Sequence, residues 1–129
     1  MAEEKRFEKK LERYLAKVGV YQAGTPMQSM LMPQMGWYTK IWGGGYQKSG
    51  IPDILMCVNG LFMGVELKGL HGHPSELQLI NTKAITDAGG AGIVLYPDQF
   101  ELFQHLVACA LEEHRIDQSL VQKINERSA

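Results

Sequence analysis

Phe7, Leu11, Tyr14, Leu15 and Val18 recur at helical spacing and Gly19 follows them, so residues 3 to 18 read as an amphipathic helix that stops at the glycine. The period then disappears. Residues 20 to 35 hold Pro26 and Pro33 together with Met27, Met30, Met32 and Met35, the composition of an irregular segment with soft apolar contacts. "GWYTKIW", residues 36 to 42, is aromatic and β-branched enough for a strand, which Gly43 to Gly45 break. In "HPSELQLINTKAITDAGG", Ser75 and Gln78 stand at capping-box spacing and a glycine pair closes the stretch, which predicts a helix of about residues 76 to 88. "AGIVLYP", residues 91 to 97, is a short apolar run of strand type, and Asp98 with Glu101 then reads as the cap of a further helix, "DQFELFQHLVACALEEH". The tail 114–129 is polar and weakly patterned, in the manner of a frayed helix.

Between these elements lies "SGIPDILMCVNGLFMGVELKG", residues 49 to 69. Asn59-Gly60 is the strongest short-range signal for a two-residue type I′ turn, whose central residues both need positive φ. Such a turn pairs Val58 with Leu61, Met56 with Met63, Ile54 with Val65 and, next along, Asp53 with Glu66. Alternation puts Ile54, Met56, Val58, Leu61, Met63, Val65 and Leu67 on one apolar face and leaves Asp53, Glu66 and Lys68 on the other. Directly opposed β-carbons are about 4.5–5.5 Å apart, and like charges there destabilise the pair. A divalent cation between the carboxylates would offset that repulsion, and hard oxygen ligands suit Mg²⁺ or Mn²⁺. Lys68, on the same face, could then stabilise developing negative charge or position a water, as phosphoryl chemistry requires. The alternative reading of the three residues is a solvated edge-strand face with an ion pair.

The element order of helix, three strands, helix, strand and helix predicts an α/β domain with a mixed sheet of about four strands flanked by helices. Length agrees, because 129 residues suit one domain spanning 1–129 with one core. Hydrophobic residues make up 45% and charged residues 21%, the ordinary globular range, and no apolar run approaches the roughly eighteen residues of a membrane span. The charged opening "MAEEKRFEKK" lacks the apolar region of a signal peptide, and Cys57 and Cys109 lie in apolar segments without metal-ligand spacing. A reducing cytoplasm and two buried free thiols are the expectation. The formal net charge of -1 conceals an asymmetry: residues 1–69 hold nine Lys/Arg against six Asp/Glu, and residues 70–129 four against eight. A nucleic-acid face, if present, belongs to the N-terminal half.

"PD" at 52–53 followed by "ELK" at 66–68 resembles the PD-(D/E)XK nuclease superfamily. The ordered set "GGGYQKSGIPDIL", "GVELKG", "SELQ", a Gly-Gly turn and a strand is similar, over about residues 4–105, to the VRR-NUC family of small, stand-alone, phage-type nucleases that are like Holliday-junction resolvases. The resemblance implies a restriction-endonuclease-like core and an Mg²⁺- or Mn²⁺-dependent endonuclease cutting structured DNA, four-way junctions above all, as a homodimer in a bacterial host cytoplasm. Asp53, Glu66 and the backbone carbonyl of Leu67 would ligate the metal, and Lys68 would be the catalytic lysine. The family also places a glutamate on the first helix beside the metal, directly or through water. Glu8, on the border of the apolar stripe, is the best match, with Glu4 in the first turn as the alternative and Glu12 pointing further outward. Gln78 matches the family's active-site glutamine, although the capping box of Ser75 accounts for it equally well.

Four further features have competing readings. Lys40, Gln47, Lys48 and Ser49 flank the glycine-rich loop and could contact DNA phosphates, or the loop could be an ordinary one. His71 and His73 could bind zinc, but without a nearby Cys or third His they read as a polar loop at the mouth of the site. Trp37, Tyr38 and Trp42 could stack on unpaired bases, while strand aromatics are more commonly core. With the methionine-rich stretch 27 to 35 they are also candidate dimer interface. Two other functions stand beside junction cleavage: a same-fold nuclease acting on flaps, ends or simple duplex, and a DNA-binding module that does not cut.

Overall fold

The structure, a computed structural model, describes residues 2–42 and 49–129. Its elements are α1 (Ala2–Lys17), β1 (Val20–Gln22), β2 (Gly36–Lys40), β3 (Ile54–Val58), β4 (Leu61–Leu67), α2 (Glu76–Asp87), β5 (Ala91–Leu95), α3 (Phe100–Glu113) and α4 (Gln118–Glu126). It is an α/β fold with one mixed sheet in the order β1-β2-β3-β4-β5, parallel at its two outer pairs and antiparallel within.

The sheet has five strands rather than about four, because β1 lies in the segment read as irregular. Val20–Gln22 is too short to show a period, and it forms by parallel pairing of Val20 with Gly36 and Tyr21 with Trp37. Gly36 permits this: a Cβ there would stand 3.0 Å from Val20 Cγ2 and 2.7 Å from the Cys57 carbonyl. The Tyr21 hydroxyl ties the strand to the following loop by donating to Met32 O at 3.2 Å.

The hairpin register is the one the turn dictates. Val58 pairs with Leu61, Met56 with Met63 and Ile54 with Val65, and Asn59 and Gly60 take φ of 51° and 85°. Asn59 Nδ2 also donates to Ala110 O and Leu111 O, at 3.1 and 3.3 Å, and pins the turn to the end of α3. The apolar face of the hairpin joins Phe7, Leu11 and Leu15 of α1 and Phe103, Leu106, Val107 and Ala110 of α3 in one core. Edge-on ring contacts of Phe7 and Tyr14 with Phe100 set the α1–α3 packing. The tail is not frayed: Asp117 caps α4 by accepting from Ser119 N and Leu120 N, and Val121 and Ile124 enter the core. Asp98 does not cap α3. It lies in a 3-10 turn, Pro97–Gln99, and pairs with Arg127 at 3.3 Å, while Gln99 Oε1 takes the Tyr96 N–H.

The opposite face of the sheet carries α2. Its seat is two cross-strand partners without side chains, Gly64 and Gly92. A Cβ on Gly64 would stand 2.7 Å from Ile85 Cδ1, and one on Gly92 would overlap the Thr82 carbonyl. The helix therefore rides close to β4 and β5. It leaves Trp37, Cys57 and Phe62, which form a row across β2, β3 and β4, exposed. Neither thiol is buried as the sequence suggested: Cys57 is exposed and Cys109 half-buried. No helix among the described residues is long and apolar enough to cross a membrane.

Candidate active site

Glu66 is the penultimate residue of β4, two positions past Gly64 on the face that α2 covers. Its side chain is 2% exposed. Burying a carboxylate is costly unless it is paired and hydrogen-bonded, and Glu66 has both partners. Lys68 Nζ stands 3.4 Å from Glu66 Oε2, and Gln78 Nε2 donates to the same oxygen at 2.8 Å. The polar face of the hairpin is thus roofed by α2 at this point, which removes the reading of a solvated edge with a surface ion pair.

Gln78 performs two tasks at once, completing the cap that the sequence offered as one reading and bonding Glu66. Its Oε1 accepts the Ser75 N–H at 2.8 Å while its own N–H donates to Ser75 Oγ at 3.1 Å, a complete capping box. With the amide oxygen fixed by the cap, the amide nitrogen faces Glu66. Across the hairpin Asp53, just before β3, is half-buried, and its Oδ2 accepts the Leu67 N–H at 2.8 Å. That bond holds the Asp53 carboxylate against the strand end that carries Glu66 and Lys68. Asp53, Glu66, Leu67, Lys68 and Gln78 therefore form one constellation at the open end of the β3–β4 hairpin.

Glu8 faces the edge of β2, the strand whose Lys40 pairs across the sheet with Ile54, the neighbour of Asp53. It lies 3.6 Å from Lys40 Nζ, and Glu12, which the sequence placed further outward, lies nearer the same ammonium at 2.8 Å. The Glu12 contact is the main cause of the raised Lys40 pKa, and through it Lys40 ties β2 to α1. The α1 acid that reaches the loop beyond Lys68 is Glu3, whose Oε1 accepts the Leu70 N–H at 2.9 Å. The signal was present in the sequence: Glu3, Phe7, Leu11 and Leu15 form one row at four-residue intervals along the apolar stripe.

Of the other expected contacts, Ser49 is described and exposed, whereas Gln47 and Lys48 lie outside the described residues. His71 and His73 are exposed on the loop before α2, and among the described residues no group of three or more His, Cys, Asp or Glu converges as a metal cage. Tyr38 is 3% exposed and belongs to the core, which withdraws it from stacking and from any interface. Trp42 is exposed, with Lys40 Nζ 5.1 Å from its ring centroid. Met27, Leu31 and Met32 are exposed as well. Compared with known proteins, the chain matches no family model, no curated protein and no solved structure.

Proposed function

We propose that this protein is a divalent-metal-dependent endodeoxyribonuclease with a restriction-endonuclease-like core. The observation that carries the reading is the buried Glu66 carboxylate, bonded by Gln78 and paired with Lys68, beside an Asp53 that the Leu67 N–H holds in place. The sequence resemblance to VRR-NUC nucleases supports the substrate class.

The donor set fits the cation. Mg²⁺ is commonly held by one or two carboxylates with water and substrate phosphate completing its shell, so a two-carboxylate site without a protein cage suffices. Asp53, Glu66 and the Leu67 carbonyl would hold it. When bound, it supplies Lewis acidity at the phosphate and at the attacking water. The chain's own contributions are positional. Gln78 fixes the Glu66 rotamer from a capped helix end, the Leu67 N–H fixes Asp53, and Lys68 brings a positive charge that can orient the water and stabilise charge building on the phosphate oxygens. In this reading the preferred DNA is a four-way junction and the working unit a homodimer, because two symmetric nicks need two sites related by a two-fold axis.

The test is a cleavage assay on duplex, flap and four-way junction DNA with Mg²⁺ or Mn²⁺, with light scattering for the mass in solution. Glu66→Gln and Lys68→Ala are each expected to slow cleavage about 10²-fold or more. Their circular dichroism should match the wild type. Near-normal rates in either variant would remove the assignment, and a monomer that trims flaps but leaves junctions whole would narrow the substrate while retaining the chemistry.

A further inference from the structure

The charges of α1 are sorted by direction. Its six cations, Lys5, Arg6, Lys9, Lys10, Arg13 and Lys17, are all exposed, whereas its four acids, Glu3, Glu4, Glu8 and Glu12, are all half-buried. Three of those acids are held by the protein itself, Glu3 at the Leu70 N–H and Glu8 and Glu12 at Lys40. Among the described residues none of the six cations has a carboxylate partner, and Lys10 sits instead over the Phe100 ring at 4.6 Å.

This arrangement is a poor one for helix stability. Lys5, Lys9, Arg13 and Lys17 follow one another at i,i+4, as do Arg6 and Lys10, and like charges at that spacing destabilise a helix where alternating Glu and Lys would support it. A protein of net charge -1 gathers a one-signed face here, and among the described residues no ion pair offsets its repulsion. The face is also placed to be useful. Glu3 anchors the first turn of α1 to the loop that follows Lys68, so the row of cations starts beside the candidate active site and runs about 18 Å away from it along the helix.

We propose that this outer face of α1 is a phosphate-binding track that holds the DNA backbone and leads it to Asp53, Glu66 and Lys68; the inference rests on the nuclease reading and assigns its substrate contacts. Charge complementarity selects the occupant. A membrane is a weaker candidate, because the apolar side of the helix, Phe7, Leu11 and Leu15, is sealed in the core and has nothing to insert into lipid.

The experiment measures binding separately from cleavage, by fluorescence anisotropy of labelled duplex and junction DNA in EDTA over a series of salt concentrations. Three proteins are compared: wild type, the α1 variant K5Q/K9Q/R13Q/K17Q, and a control with cations removed elsewhere, K83Q/K123Q. The α1 variant is expected to bind about tenfold or more weakly, and its plot of log affinity against log salt should flatten by about 3 to 4 in slope if each residue meets one phosphate. The control should match the wild type. Circular dichroism of the α1 variant should match that of the wild type, so that weaker binding reports lost charge and not a lost helix. Binding unchanged by the four substitutions, or a wild-type affinity indifferent to salt, would overturn the track, and so would equal affinity for phosphatidylserine vesicles. Cleavage of DNA by a wild type with an insensitive α1 face would leave the nuclease standing, whereas a wild type that binds DNA through α1 and never cuts would remove the nuclease and leave the track.

Discussion

Gln78 shows how one side chain can bind local structure to chemistry. Ser75→Ala removes half of the capping box and is expected to cost about 1 kcal/mol, with the Glu66 bond and cleavage largely retained. Gln78→Ala removes the other half of the box together with the 2.8 Å bond to Glu66, so it should lower stability by a similar amount and cleavage much further. Paired denaturant melts and cleavage rates separate the two, and equal activity in both variants would reduce Gln78 to a cap. The helix that carries it depends on a second kind of residue. Gly92→Ala has no room, because its Cβ would overlap the Thr82 carbonyl. Lifting α2 should cost about 1–3 kcal/mol or more, and it should also draw Gln78 away from Glu66, which would appear as a fall in cleavage rate larger than the stability loss explains.

Elements differ in how openly their sequences announce them. The β3–β4 hairpin was legible to the residue, since Asn59-Gly60 specifies both turn and register and the alternation from Ile54 to Leu67 specifies the face. So were α1 and the Ser75 cap of α2. Strand β1 was not, because three residues carry no period and its partner, Gly36, lies beyond a loop. Helix α4 was hidden by a polar composition in which Val121 and Ile124 are the residues that reach the core. Of the α1 acids, Glu8 faces the sheet edge as its place on the stripe suggested, whereas Glu12 was read as pointing further outward: helical spacing gives a side chain its angle, but only the neighbouring strand shows that Lys40 stands there to take Glu12. Those same acids mark β2 with a pH signature. Burial, with Glu12 and Glu8 adding to it, pushes the Tyr38 pKa up to about 12. A phenol ionises near pH 10 in an unfolded chain, so Tyr38 contributes stability that is whole below about pH 10 and is lost as pH climbs towards 12. The Lys40 pKa is raised too, chiefly by its bond to Glu12, and it acts with the same sign above its ordinary 10.5. Thermal melts from pH 9 to 12 are expected to fall less steeply for Tyr38→Phe than for the wild type, and parallel curves would refute the assignment.

At the scale of the whole molecule, one core lies beneath the sheet, whereas α2 roofs β4 and β5 on the other face and shelters Glu66. The outer strand β5 would present unpaired backbone groups along its edge, and side chains answer them. Asn125 Oδ1 accepts the Val94 N–H at 3.0 Å and its Nδ2 donates to Gly92 O at 2.9 Å. Thr86 Oγ1 takes the Gly92 N–H at 2.9 Å, and Gln118 Nε2 donates to Gly90 O at 3.2 Å. One amide group of α4 thus makes the two bonds that a neighbouring strand would make. An uncovered strand edge is a template on which another chain can add its own strand. Asn125→Leu keeps the length of the side chain and the helix around it but uncovers that template, so the variant is expected to fold and then to self-associate with time and concentration, followed by light scattering and thioflavin fluorescence. A variant that stays dispersed would show that Thr86 and Gln118 guard the edge unaided. What α4 supplies, beyond Val121 and Ile124 in the core, is a stopper at the end of a sheet that would otherwise be open to growth.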